Sequence, residues 1–146
     1  MNRSCWSTVA LLGRVLLSHI FIMSGIMKVL NWSQTALHMQ QEGMIAVPFF
    51  LAAAIAVEIG FGSMILCGCG TRVAAWGLFL FLIPVTAIFH DFWKYEGEAQ
   101  QNQMQHFSKN VTIMGGLLTL AAAGAGGLAM DTCCKKRPDG TSVATS

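Results

Sequence analysis

Charge is what this sequence has least of. Nine Lys and Arg and seven Asp and Glu make up 11% of its 146 residues, against 54% hydrophobic, and the mean hydropathy is positive. An ordinary soluble domain is about one quarter charged. So few charges cannot cover a water-facing globule of this length, which leaves lipid as the solvent for most of the surface. A formal net charge of +2, with no basic stripe interleaved with aromatics, excludes nucleic acid as a partner. Also missing are a phosphate loop, a Rossmann glycine run, an H-E-x-x-H pair and a nucleophile elbow. Without a cofactor motif, a complete stand-alone enzyme is not expected. A cleavable leader is not expected either, because Arg14 and His19 interrupt the first apolar run and no small-x-small site follows it.

What is present is four long apolar segments, at about residues 9–30, 47–67, 73–93 and 107–130. Each supplies roughly the 20 residues that a helix needs to cross the hydrocarbon. In lipid every backbone polar group must be satisfied internally, so spans are helices or closed barrels. Runs of Leu, Ala, Met and Gly without period-two alternation exclude the barrel. The expected fold is therefore an all-α integral membrane four-helix bundle, with residues 1–131 forming the four-span domain. Residues 132–146 form a short basic tail, expected to be disordered. The connections read as a polar loop at 31–46, a glycine turn at 68–71 and a Gln-rich loop at 94–106. Pro48 suits the first turn of the second helix, and Pro84 should kink the third.

Orientation follows from Lys and Arg placement. An even number of spans puts both termini and the Gly68 turn on one side, together with Arg3, Arg14, Arg72, Lys135, Lys136 and Arg137. The other side carries Lys28, Lys94 and Lys109, diluted by Glu42, Glu96 and Glu98. The positive-inside rule then makes both termini cytoplasmic. Trp6, Trp32, Trp76 and Trp93 fall near the predicted helix ends, as interfacial anchors should.

Ionisable groups within spans cost roughly 2.5–3.5 kcal/mol on insertion scales, so each needs a partner or a purpose. Arg14, Ser18, Gly25 and Lys28 fall on one helical line, which should face the bundle interior, whereas His19 points elsewhere. Glu58 sits mid-helix beside Gly60 and Gly62. Its expected partner is Arg14, with Arg72 as the other candidate. As a purely structural pair they would fix helix register; as a functional one, Glu58 would accept protons or polarise a substrate. A second polar cluster gathers at the opposite membrane face: Lys28, Asn31, His90, Asp91, His106, Lys109 and Asn110. For Asp91 and Lys109 a solvated rim is the expected role. His90, among aromatics, is a candidate for handling a ligand or its protons, and a quinone head group would suit such a bundle edge. On the fourth helix Thr112, Gly116, Thr119, Ala123 and Gly127 make a small-residue stripe, expected to pack within the bundle or, as the rarer alternative, to form a face between copies in a homo-oligomer.

The five cysteines, Cys5, Cys67, Cys69, Cys133 and Cys134, all fall at the expected cytoplasmic ends, consistent with a reducing compartment. Cys67, Cys69, Cys133 and Cys134 are weak candidates for a soft metal or for thiol exchange. The C-x-C spacing is not a usual zinc spacing, so no structural metal is expected.

Taken in order, these pieces resemble the DoxX family of small bacterial inner-membrane proteins, over about residues 11–131. The resemblance rests on Gly13-Arg14-Val15-Leu16, Ser24-Gly25 and Lys28, Glu58-Ile59-Gly60, and Gly68-Cys69-Gly70-Thr71-Arg72-Val73-Ala74-Ala75. It continues with Phe89-His90-Asp91-Phe92-Trp93, Lys109-Asn110, and Gly124-x-Gly126-Gly127 leading to Asp131. It implies a multi-pass inner-membrane protein with other membrane or redox proteins as partners. Some members are subunits of thiosulfate:quinone oxidoreductase and others are tied to thiol and oxidative-stress systems. It also implies Arg14, Lys28, Glu58, Arg72, His90 and Asn110 as functional residues: Glu58 and His90 for chemistry, Arg14, Lys28, Arg72 and Asn110 for ligand binding. The leading expectation is a redox-associated membrane subunit binding a quinone-like ligand. The alternatives are a non-catalytic scaffold or assembly subunit of a larger membrane complex, and thiol or metal handling at the cytoplasmic face.

Overall fold

The computed structural model describes residues 3–130. These form five α-helices, α1 (Arg3–Leu30), α2 (Trp32–Gln41), α3 (Val47–Cys67), α4 (Thr71–Phe89) and α5 (Gly97–Ala123), with a 3-10 turn at Phe92–Lys94 and no strand among the described residues. Three segments are long and apolar enough to cross a membrane: Cys5–Leu30, Val47–Cys67 and Thr71–Lys94. The fourth long helix, α5, is less apolar. It starts ten residues before the expected position, inside the stretch read as a Gln-rich loop, and its first half carries Gln100, Gln101, Asn102, Gln103, His106, Lys109 and Asn110. It also ends at Ala123 rather than at residue 130, because Gly124 and Gly126 both take positive φ (80° and 78°) and stop the hydrogen-bond ladder. The expected polar loop at 31–46 likewise contains a helix, α2, whose Met39 packs under Val47 and Leu51 of α3.

Antiparallel α1 and α3 form the closest pair, and α5 packs chiefly on α4. Glycine sets the α1–α3 approach. A Cβ on Gly25 would come within 2.5 Å of Ile59 Cγ1, and one on Gly62 within 3.0 Å of Ile22 Cγ1. The turn between α3 and α4 is the glycine turn that the sequence suggests. Gly68 closes α3 in the left-handed region (φ 73°), its N–H donating to Met64 and Ile65 carbonyls, while the Cys69 N–H donates to the Met64 carbonyl at 2.9 Å. Pro48 lies in the first turn of α3, and Pro84 lies inside α4, which continues to Phe89.

The main core joins Phe21, Ile65, Ala74, Ala75, Leu78, Leu82, Leu117 and Ala121 from four helices. Large apolar side chains such as Leu12, Leu16, Phe49, Val73 and Leu80 remain exposed. That is the surface of a protein whose exterior meets lipid rather than water. On α1, Arg14, Ser18, Phe21 and Gly25 are buried while His19 is exposed, so the polar stripe does face inward.

Candidate functional site

Glu58 is buried, and its partner is Lys28, not Arg14. Lys28 Nζ lies 2.9 Å from both carboxylate oxygens of Glu58 and 2.7 Å from Ser24 Oγ, and Ser24 donates to Glu58 Oε1 at 3.2 Å. The expected Arg14–Glu58 pair fails for a geometric reason. Gly25 sits level with Ile59, Gly62 with Ile22, and Gly68 with Arg14. Arg14 is thus one helical level with Gly68, ten residues from Glu58, which is about 15 Å at 1.5 Å per residue. The 28-residue α1 overhangs the 21-residue α3 at that end, an offset that counting in from segment ends does not reveal.

Arg14 instead reaches backbone. Its guanidinium donates to the carbonyls of Ile65 and Leu66, each at 3.3 Å, and of Leu128, while its Nε is buried without a partner among the described residues. Arg72 does the same for α5, donating from Nη2 to Ala122 O at 3.3 Å. Both arginines therefore sit where a helix leaves carbonyls unsatisfied and where the dipole favours a cation. Neither lines the cavity that contains Lys28 and Glu58.

That cavity has a volume of about 320 Å³, within the roughly 300–1,000 Å³ of small-molecule pockets. Phe21, Leu51, Phe81, Leu82 and Ile113 give it apolar walls, and Lys28, Glu58, Ser24, His90, Lys109 and Asn110 converge on it. Four of the six residues proposed from the family resemblance (Lys28, Glu58, His90 and Asn110) thus meet at one place. Glu58 thus joins the polar cluster of the opposite face, while Arg14 and Arg72 stay at the other end of the bundle.

α4 and α5 position the rest. His90 caps α4, its Nδ1 lies 3.0 Å from Gln103 Oε1, and its ring stacks on His106 with centroids 5.2 Å apart at 17°. Lys109 Nζ lies 3.2 Å from His106 Nδ1. Burial, then the neighbouring Lys109 and His90, hold the His106 imidazole below its usual value of 6.5. Asn110 is buried and donates to Thr86 Oγ1 at 3.1 Å. Lys109 is exposed, as a rim residue should be. Asp91 is not: only 2% of it is accessible, and it is paired with Lys94, because the 3-10 turn folds Lys94 back over the carboxylate. Asn31, between α1 and α2, donates to the Met27 carbonyl in the last turn of α1.

Gln103, Thr86, Ser24 and His38 contribute without having been singled out as site residues. Gln103, His106 and Asn110 share one face of α5 by their three- and four-residue spacing, a signal visible once α5 is known to begin at Gly97. His38 was hidden inside a presumed loop; it lines the cavity from α2 and contacts the Phe89 ring at 5.6 Å. Cys5, Cys67 and Cys69 are free and exposed, and Cys133 and Cys134 lie outside the described residues. Among the described residues no three His, Cys, Asp or Glu side chains gather as a metal site.

The DoxX family model matches residues 9–91, more than half of the chain. The chain belongs to the DoxX family. It is 32% identical over 122 residues to the inner membrane protein YphA of Escherichia coli (strain K12), covering 83% of this chain and 86% of that protein. It is also 32% identical over 127 residues to the inner membrane protein YqjF of the same organism, covering 87% and 92%. No solved structure gives a significant match. Together with the three apolar helices, these relatives make it a multi-pass inner-membrane protein. The matched stretch contains Lys28, Glu58 and His90 but ends before Asn110.

Proposed function

We propose that this DoxX protein is a redox-associated membrane subunit that binds a quinone-like ligand in the cavity between α1, α3, α4 and α5. One observation carries the reading: an apolar, aromatic-walled cavity of about 320 Å³ with Lys28, Glu58, His90 and Asn110 gathered on it. A flat, apolar ring with polar substituents suits such walls and such groups. The Lys28–Glu58 pair is the ionic core of the site, and His90 serves the ligand or its protons. α5 completes the bundle as a fourth crossing, with both termini on the cytoplasmic side as the Lys and Arg distribution directs.

The test is binding of a photoreactive azidoquinone to the purified protein in mild detergent. Labelling should map to the walls of this cavity, compete with unlabelled quinone, and fall in Glu58→Gln and His90→Phe variants that remain folded. Labelling that is unaffected by both substitutions would remove the proposal. A second reading, a non-catalytic assembly subunit, draws support from a cleft of about 500 Å³ between α1 and α5, lined by Gly13, Gly116, Thr119 and Ala123. There the small-residue stripe lines a cleft against α1 that is only partly filled, with Leu17 Cδ1 3.5 Å from where a Gly116 Cβ would lie. This reading requires co-purifying membrane partners and no ligand of its own.

A further inference from the structure

The hydrogen-bonding capacity left over in the cavity is unequal, and the inequality says which form of the ligand fits. The donors of the ionic core are spent. Lys28 has three N–H groups, and they face Glu58 Oε1, Glu58 Oε2 and Ser24 Oγ, while the Ser24 hydroxyl donates to Glu58 Oε1. Thr35, also on the cavity, donates its hydroxyl to Asn31 O. What remains at the buried end is mostly acceptor. Glu58 Oε2 receives only Lys28 among the described residues. Asn110 uses Nδ2 on Thr86, and its Oδ1 receives no hydrogen bond among the described residues. Gln103 Oε1 can only accept, so in its contact with His90 the Nδ1 carries the proton, and in the neutral imidazole the Nε2 is then an acceptor. The donors still available are the second N–H of Asn110 and those of Lys109 and His38, and the last two residues are exposed at the mouth.

We infer that the cavity selects the reduced, dihydroxy form of its ligand, a quinol, over the oxidised dicarbonyl form. This deepens the quinone-like reading and rests on it. A quinol ring brings two O–H donors to acceptors that still have lone pairs to spare: Glu58 Oε2, which accepts only from Lys28, and Asn110 Oδ1. A quinone brings two carbonyl oxygens, which meet Glu58, His90 and Asn110 lone pair to lone pair. A site built to hydrogen-bond a hydroxyl discriminates strongly against the analogue that lacks it, because its own buried groups are then left unmatched. His90 and Asn110 are specificity-determining residues for the ligand's redox state, and Gln103 is a positioning residue that fixes the His90 tautomer.

The experiment compares duroquinol with duroquinone, under nitrogen, by calorimetric titration of the full-length protein in mild detergent. Duroquinol should bind at least about tenfold more tightly. By linkage a tenfold preference raises the midpoint potential of the bound two-electron couple by about 30 mV. The Asn110→Leu variant should bring the two affinities within about twofold of each other. Equal binding of the two forms by wild-type protein, or tighter binding of duroquinone, overturns the inference and leaves the ligand site standing. Binding of neither form overturns both the inference and the functional reading beneath it. Because the wild-type comparison decides the matter, a variant that fails to fold does not affect the outcome.

Discussion

Replacing Lys28 by Met separates the structural worth of the ion pair from that of its parts. Met keeps most of the apolar stem and removes the ammonium. Glu58, whose side chain is only 7% exposed, then keeps a single donor, Ser24. Breaking a buried pair from one side typically costs about 3–5 kcal/mol. Because Lys28 is 26% exposed and the carboxylate borders a cavity, the lower end applies, about 3 kcal/mol. The reciprocal change, Glu58→Leu, is milder. The freed ammonium sits at the last turn of α1 and can swing outward on its flexible stem, leaving a cost of about 1 kcal/mol. The double variant replaces the pair with apolar groups of similar volume and should lie close to wild type. Equilibrium unfolding in mild detergent, read as a double-mutant cycle, should give a coupling of about 4 kcal/mol, with Lys28→Met the more damaging single change. The reasoning is refuted if Lys28→Met costs less than about 0.5 kcal/mol, or if the two single costs simply add in the double variant.

Two further outcomes follow from the geometry. Gly68→Ala should destabilise by about 2–4 kcal/mol, combining a left-handed backbone (φ 73°) with a Cβ that meets the Arg14 guanidinium and lies 2.7 Å from Ala129 Cβ; thermal unfolding against a Gly13→Ala control, where a Cβ meets nothing within 4 Å, checks it. Because His106 is held below its usual 6.5 by burial, Lys109 and His90, the unfolded chain takes up its proton first as pH falls. Its contribution to stability is therefore full above 6.5 and is lost as pH drops from there through the lowered value; the slope of stability against pH below 6.5 should flatten in a His106→Phe variant.

The membrane character, the all-helical fold and three of the spans are legible in composition and segment length, because lipid admits so few solutions for the backbone. The inward stripe on α1 is legible as well, since 100° per residue fixes which of Arg14, Ser18, Gly25 and Lys28 share a face. α2 and the first half of α5 are not: both are polar, and a helix lying at an interface or lining a cavity carries no long apolar run to announce it. Gln103 and His38 were lost with them. The Glu58 partner was misread for another reason. Periodicity gives the direction in which a side chain points but not its height against a neighbouring helix.

Sequence alone decided that Glu58, Lys28 and Arg14 must all turn away from lipid, because the cost of exposing a charge to hydrocarbon is a property of the residue and the solvent. Only tertiary structure decided which of them meet. The glycine contacts at Gly25 and Gly62 set the slide of α1 along α3, and that slide brings Lys28 to Glu58 and leaves Arg14 holding the carbonyl end of α3.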